Sequence, residues 1–415
     1  MNVQRFHPDS NGFKAAIGVV EVLVGYGHIA YLAGGCVRDL LLGQDPKDFD
    51  VATDAKPEQI KEHFSKTASV GASFGVMLVR DFGETIEVAT FRSDGVYSDT
   101  RRPDSIKYSS PEEDAHRRDF TINALFLDPM GTDKTQIIDF VDGLVDVRDR
   151  ILRAVGDPEE RLKEDHLRAL RAVRFAAKYD LTIDERTSNA IRAHASGLSG
   201  VSIERIGEEV RKMLLHPSRT RACVLIDELD LDNAIFGDVH PFEPQVMEQL
   251  PERVPYPTAL VALAIGSGHT ITNDTSIITQ QFRKALDLSN DDRDGMRSVL
   301  DSLASFAGAW GGLGEAQRKR LASRIWVREA LGIYHAIDHD AASKIAGEIE
   351  ELASCFGGLK PDPLVTGEDL IALGLDPGPQ FKAILDAVYD AQLEGRVEIK
   401  PEAIALATDI ARKQA

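Results

Sequence analysis

Cysteine is scarce: Cys36, Cys223 and Cys355 are all that 415 residues contain. They are far apart, odd in number and form no CxxC pair. That excludes a disulfide framework or a cysteine zinc site as the organising device, and fits a reducing cytoplasm. Long apolar runs are missing too. No stretch approaches the roughly 18 apolar residues of a membrane span, and the first residues, MNVQRFHPDS, hold no apolar run of signal-peptide length. Positive charge is in deficit, with 48 Lys and Arg against 67 Asp and Glu and a net charge of −19. A broad basic footprint for non-specific nucleic-acid binding is thereby excluded. There is no repeat at a fixed period and no long low-complexity segment.

What is present suits a soluble globular protein of two to four domains, with 43% hydrophobic and 28% charged residues. Residues 1–200 carry 26 Lys and Arg against 33 Asp and Glu, and residues 201–415 carry 22 against 34. Basic clusters stand out locally: Arg101-Arg102, Arg117-Arg118 and the row Arg168, Arg171, Arg174. The hydrophobic pattern predicts a helix over 13–27, a strand over 29–33, a helix over 37–42, and strands over 49–52, 75–80, 85–91 and 121–127. The polar segment 95–111 reads as a loop. From residue 157 the pattern is helical to the end. The expected fold is therefore α+β: a mixed α/β head of about 145 residues followed by an all-helical remainder.

Three constellations carry chemistry. In YLAGGCVRDLLLGQDPKDFDVAT, a strand ends in Gly34-Gly35 and a helix begins. Glycines admit a bulky anion close to the backbone, and a helix start offers N–H groups to phosphate. Arg38 adds a charged donor. Asp48 and Asp50, two apart on one strand, project to the same face, and paired hard oxygens suit Mg²⁺. An isolated Gly-Gly or Asp-x-Asp is weak; the combination at this spacing is not. The second, RRDFTINA, reads as the polar edge of a strand carrying Arg117, Arg118, Asp119 and Asn123. Neighbours on a strand face opposite ways, so one of the two arginines points inward and the residues do not say which.

The third is RLKEDHLRALRAVRF, a helix by periodicity. On a wheel, Glu164, Asp165, Arg168 and Arg171 oppose the apolar side. Arg174 falls on the apolar flank, which calls for a partner at a domain junction. The plain reading is a solvated face with an Asp165–Arg168 pair worth a few tenths of a kcal/mol. The sharper reading is base selection. A carboxylate accepts from an exocyclic amino group and an arginine donates to a ring nitrogen. Adenine and cytosine both offer that pair of groups, and guanine and uracil do not, so ATP and CTP would be taken and GTP and UTP refused.

These three motifs, in this order, resemble the class II tRNA nucleotidyltransferase and bacterial poly(A) polymerase family of the polymerase-β-like superfamily. The resemblance implies that Gly34 and Gly35 cradle the triphosphate and that Arg38 contacts the nucleotide. It implies that Asp48 and Asp50 bind catalytic Mg²⁺, with Glu87 as a third catalytic carboxylate. Arg117 or Arg118, with Asp119 and Asn123, would contact nucleotide and sugar. Asp165 and Arg168 would read the base, Glu164 would orient Arg168, and Arg171 and Arg174 would support base and phosphates. The segment from Ser93 to Asp104 resembles the family's flexible loop, SIERIGEE at 202–209 a neck motif, and the C-terminal segment a tRNA-gripping tail.

The implied domains are a head at 1–148, a neck at 149–215, a body at 216–345 and a tail at 346–415. The implied activity adds C and A from CTP and ATP to the tRNA 3′ end. The alternatives are an A-adding or CC-adding partner enzyme, a poly(A) polymerase, and an RNA-binding protein without catalysis. No motif calls for a membrane or an obligate protein partner. His335 and His339-Asp340 lack the companions of a metal phosphohydrolase signature.

Overall fold

The computed structural model describes residues 10–69, 75–94, 106–131, 136–237, 241–271, 274–355 and 357–414. The chain separates into two compact units, residues 1–239 and 240–415.

The first unit opens with helix α1 (Asn11–Gly25), capped by the Ser10 hydroxyl, which accepts from Phe13 N at 3.2 Å. Its Ala15, Ala16, Val19, Val20 and Leu23 form the buried stripe that helical spacing dictates. There follow β1 (Ala30–Ala33), α2 (Gly35–Leu41), β2 (Asp50–Thr53), α3 (Pro57–His63), β3 (Thr67–Ser69), β4 (Val76–Val79) and β5 (Ile86–Thr90). Then come β6 (Arg92–Asp94), β7 (Ile106–Tyr108), α4 (Pro111–His116), a 3-10 turn Thr121–Asn123, β8 (Phe126–Asp128) and β9 (Gln136–Ile138). Among the described residues the main sheet runs β3-β4-β5-β2-β1-β8-β9. Only β2 and β5 are parallel neighbours, so the sheet is mixed.

Two expectations shift here. The strand foreseen over 121–127 begins at Phe126, because Thr121–Asn123 turns. The Thr121 hydroxyl donates to Asp146 at 2.6 Å, and the Asn123 side chain is likewise bonded, so both are held as a buried polar corner. In the segment read as a loop, Ile106–Tyr108 pairs antiparallel with Arg92–Asp94, and Pro111 opens a helix. The rest of the loop, including Arg101 and Arg102, lies outside the described residues.

The helical continuation comprises α5 (Gly143–Asp149), α6 (Pro158–Glu164), α7 (Leu167–Tyr179), α8 (Glu185–His194), α9 (Ile203–Leu214), α10 (Arg219–Glu228) and α11 (Leu231–Phe236). A two-residue parallel pairing, Ile151–Leu152 with Thr182–Ile183, interrupts what the sequence reads as purely helical. The helix expected across 161–175 is broken at Asp165, which is extended (φ −153, ψ 103). Its Oδ1 accepts from Leu167 N at 3.1 Å. This is the local bond by which aspartate competes with a helix two residues on.

The second unit is helical. Tyr256–Gly266 is buried nearly all round, as an apolar helix without a polar face must be. It packs with Asn290–Ala304. Three C-terminal helices, Gly367–Ala372, Pro379–Leu393 and Lys400–Gln414, close on Leu370, Ile384, Val388, Ala403 and Ala407. Thr366 and Asp369 cap the first of these, with Asp369 Oδ2 accepting from Thr366 N at 2.9 Å. The Lys319 ammonium is buried and donates to Leu393 O at 2.7 Å.

Candidate active site

A cleft of about 910 Å³ opens on the first unit. Every site residue anticipated from sequence lines it except Glu164.

One wall is the sheet. Phe49 is buried, so the residues on either side of it, Asp48 and Asp50, turn to the cleft. Asp48 precedes β2 and does not lie in it, and is exposed. Asp50 faces Ala33 on β1 and Glu87 on β5. Ile86 and Val88 enter the core, which leaves Glu87 on the cleft side. Burial, then the Glu87 charge, then Asp48 push the Asp50 carboxyl up to about 6, against the pull of Arg118. The donor set is hard oxygen and carries negative charge that a cation would relieve. Among the described residues no three His, Cys, Asp or Glu groups converge as a cage. Mg²⁺ needs none, because it takes one or two carboxylates and fills its shell with water and phosphate. Asp48 and Asp50 therefore fit that ion.

The floor is the Gly34 turn. Gly34 has φ +69, and a Cβ there would lie 2.8 Å from Arg118 Nη1. The positive φ favours glycine, and its missing Cβ lets the Arg118 guanidinium lie against the turn. Arg118 Nη1 donates to Asn123 O at 2.9 Å, and the guanidinium also pairs with Asp114 at 3.0 Å. Arg117 pairs with the other oxygen of Asp114 at 2.6 Å and donates through Nε to Arg92 O. Both arginines reach the cleft, and Arg118 is the one against Gly34 and acting on Asp50. Burial would raise the Asp114 carboxyl, but Arg118 and Arg117 hold it below the usual range.

Arg38 is buried between the rings of Phe175 (4.9 Å) and Tyr179 (4.4 Å). Its Nε and Nη2 donate to Asp39, Nη2 also to Tyr179 OH, and Nη1 to Asn123 Oδ1 at 2.6 Å. Four of its five N–H groups thus serve the scaffold.

The opposite wall is α6–α7. Glu164 Oε2 accepts from Arg168 Nη1 at 2.5 Å, and the same nitrogen donates to Arg161 O at 2.7 Å. Arg168 lines the cleft as well. The i,i+3 Asp165–Arg168 pair does not form; Asp165 Oδ2 accepts from Arg205 of α9 at 2.7 Å. Arg171 donates twice to Asp119 Oδ2, at 2.9 and 2.6 Å. Asp119 also accepts from Asn123 Nδ2 at 3.0 Å. Burial opposes ionisation of Asp119, yet Arg171 and Asn123 bring it down to about 2. Arg174 finds the junction partner its position demands: Nε donates to Glu209 at 2.6 Å, on the neck motif. Ser202 starts that helix, but its side chain makes no capping bond.

Sequence reasoning missed Asp114, Asp39, Tyr179 and Arg205, and gave Glu209 no role. Asp114 had a signal, since it stands i,i+3 and i,i+4 to the two arginines. Asp39 stands next to Arg38 in the sequence, while Tyr179 and Arg205 act across the chain, where only the fold reveals them.

Residues 30–153 match the family described as Poly A polymerase head domain, and residues 180–243 the one described as probable RNA and SrmB-binding site of polymerase A. The chain is 36% identical over 414 residues to the CCA-adding enzyme of Geobacillus stearothermophilus, covering 94% of this chain and 95% of that one. It is 47% identical over 204 residues to the CCA-adding enzyme of Ligilactobacillus salivarius, covering about half of each (49% and 50%). The solved structure of the Bacillus stearothermophilus CCA-adding enzyme in complex with CTP superposes with a TM-score of 0.78 at 30% identity, over 98% of this chain and 99% of that one. On an alignment of that length and identity, the chain belongs to the family of CCA-adding enzymes.

Proposed function

We propose that this chain completes the 3′ end of tRNA in the cytoplasm, adding C and then A from CTP and ATP without a nucleic-acid template. One observation carries the reading: Asp48, Asp50 and Glu87 line the same cleft as Asp165 and Arg168. Relatives named as CCA-adding enzymes, one of them solved with CTP, agree with it. So does a solved Thermotoga maritima CCA-adding enzyme complexed with tRNA, which shares the fold at TM-score 0.72.

In this reading Asp48 and Asp50 hold Mg²⁺, with Glu87 beside them. The ion supplies charge neutralisation to the triphosphate and to the attacking and leaving oxygens. Gly34 and Gly35 let the triphosphate approach the backbone, and Arg118 and Arg117 stand ready for phosphate and ribose. Asp119 and Asn123 position Arg171 and Arg38 from behind. Asp165 retains acceptor capacity for an exocyclic amino group, and Arg168 donates to a ring nitrogen. Glu164 fixes the roll of that guanidinium. A wrong base would leave these buried groups unpaired, which costs discrimination energies of several kcal/mol. Arg171 and Arg174 back the base through Phe175, over which their guanidinium carbons lie at 5.2 and 4.2 Å. We assign residues 1–148 as head, 149–215 as neck, 216–345 as body and 346–415 as a tRNA-holding tail.

The test is incorporation on tRNA lacking its CCA end, with Mg²⁺ and each nucleotide singly and together. CTP should be added to the discriminator base, ATP only after two C residues, and GTP and UTP hardly at all. Absence of CTP and ATP transfer overturns the reading. Transfer that stops at CC, or starts only from CC, identifies a partner enzyme instead, and long A tails on other RNA a poly(A) polymerase.

A further inference from the structure

Strands β1 and β2 carry the cleft at one end, where Ala33 faces Asp50. At their other end Ala30 faces Thr53, and a second polar group gathers there. His28 precedes β1, Asp54 follows β2, and His63 closes α3. The Nε2 atoms of His28 and His63 lie 3.2 Å apart. His28 Nδ1 lies 3.3 Å from Asp54 Oδ1, and the same oxygen accepts from Ile29 N at 2.9 Å. The His63 ring stacks on Tyr26 with centroids 3.9 Å apart and 8° between planes. The His28 side chain is 14% exposed.

We infer that His28 and His63 form a binding site for a borderline divalent transition-metal ion of the Zn²⁺ or Cu²⁺ class, separate from the cleft carboxylates. A proton placed on Nδ1 of His28, 3.3 Å from the Asp54 carboxylate, leaves Nε2 its lone pair. This is the outer-shell arrangement that metal-ligating histidines use. Two nitrogens bound to one tetrahedral ion at about 2.0–2.1 Å stand about 3.3 Å from each other. The observed spacing meets that without backbone movement. Tyr26 stacking fixes the second ring. Without an ion, the His63 Nε2 proton bridges the two nitrogens; the metal takes the Nε2 lone pairs of two neutral rings once His63 carries its proton on Nδ1 instead.

No third His, Cys, Asp or Glu converges here among the described residues. Water therefore completes the shell, and the ion exchanges, unlike a four-ligand structural zinc. Imidazole ligands favour Cu²⁺ over Zn²⁺ and disfavour Mg²⁺, which separates this site chemically from the catalytic one. An ion here ties the end of α3 to the strand pair that carries Asp50.

Cu²⁺ is the probe, added to untagged full-length protein after chelation. His335→Gln and His339→Gln are introduced first, because those exposed rings meet at 4.3 Å and could bind copper themselves. Electron paramagnetic resonance should show one bound Cu²⁺ with coupling to two imidazole nitrogens, competed by Zn²⁺ and not by Mg²⁺. Adding His28→Gln or His63→Gln should remove the two-nitrogen pattern. Asp54→Asn should keep it while weakening binding at least about tenfold. Melting curves without metal check that each variant is folded. No two-nitrogen signal in the parent protein overturns the site, as does a signal that survives either His28→Gln or His63→Gln in a folded chain. Neither result bears on nucleotide incorporation.

Discussion

Asp50 sits where its charge is unwelcome. It is half-buried, its strand partner is Glu87, and its carboxyl is pushed up to about 6. At neutral pH the ionised form therefore costs the metal-free fold on the order of 1–3 kcal/mol. Asp50→Asn keeps the shape and removes the charge. It should raise the melting temperature of the metal-free protein by a few degrees while abolishing nucleotide incorporation. Mg²⁺ should raise the melting temperature of the wild type but not of the variant, and chelation should stop incorporation by the wild type. Differential scanning fluorimetry with and without Mg²⁺ checks this. A variant that melts lower than wild type without metal would show that Asp50 stabilises the fold and is not strained.

At the level of elements, Asp165 and Arg168, the residues proposed to read the base, hang on the break between α6 and α7. The break is supported from one side by Gly197, in the 3-10 turn Ala195–Gly200. A Cβ on Gly197 would fall 2.3–2.6 Å from the His166 ring. His166 is the residue after Asp165, so a shift of its backbone moves the break. Gly197→Ala should therefore destabilise by about 1–3 kcal/mol, the usual cost of overpacking. It should also lower discrimination of CTP and ATP against GTP and UTP by about tenfold or more, read as misincorporation on tRNA lacking CCA. Lost stability with discrimination intact would unlink the turn from base selection.

This element also marks where sequence stops being informative. The carboxylate pair was legible because alternation around Phe49 survives even though β2 starts only at Asp50. The break was not, because neither glycine nor proline announces it; a side chain bonding two residues ahead makes it. The pairings of Arg171 with Asp119 and of Asp165 with Arg205 were hidden for another reason. They join residues 52 and 40 positions apart, which no local pattern encodes. The mixed sheet could be foreseen as a class, while its order, with β2 between β5 and β1, follows from tertiary packing.

For the molecule as a whole, acid is the informative perturbation. The formal charge is −19 at neutral pH with an isoelectric point near 5.0, so acidifying to that point relieves self-repulsion and should not unfold the chain. Below it, Asp119 matters. It titrates near 2 in the fold against 3.8 in the reference state, so the unfolded chain takes up its proton first. Its contribution, on the order of 2 kcal/mol, is complete above about pH 4 and is lost as pH falls from about 4 towards 2. Asp114 has the same sign. Arg171→Met would strand the Asp119 charge in the first unit, costing about 3–5 kcal/mol at pH 7. That cost should shrink as acid neutralises Asp119, so the variant and wild-type stabilities should converge on going from pH 7 to pH 3. Urea unfolding followed by circular dichroism should show the pH-dependent gap. A gap that is constant with pH would mean that Arg171 stabilises by packing on Phe175 and not through the Asp119 charge.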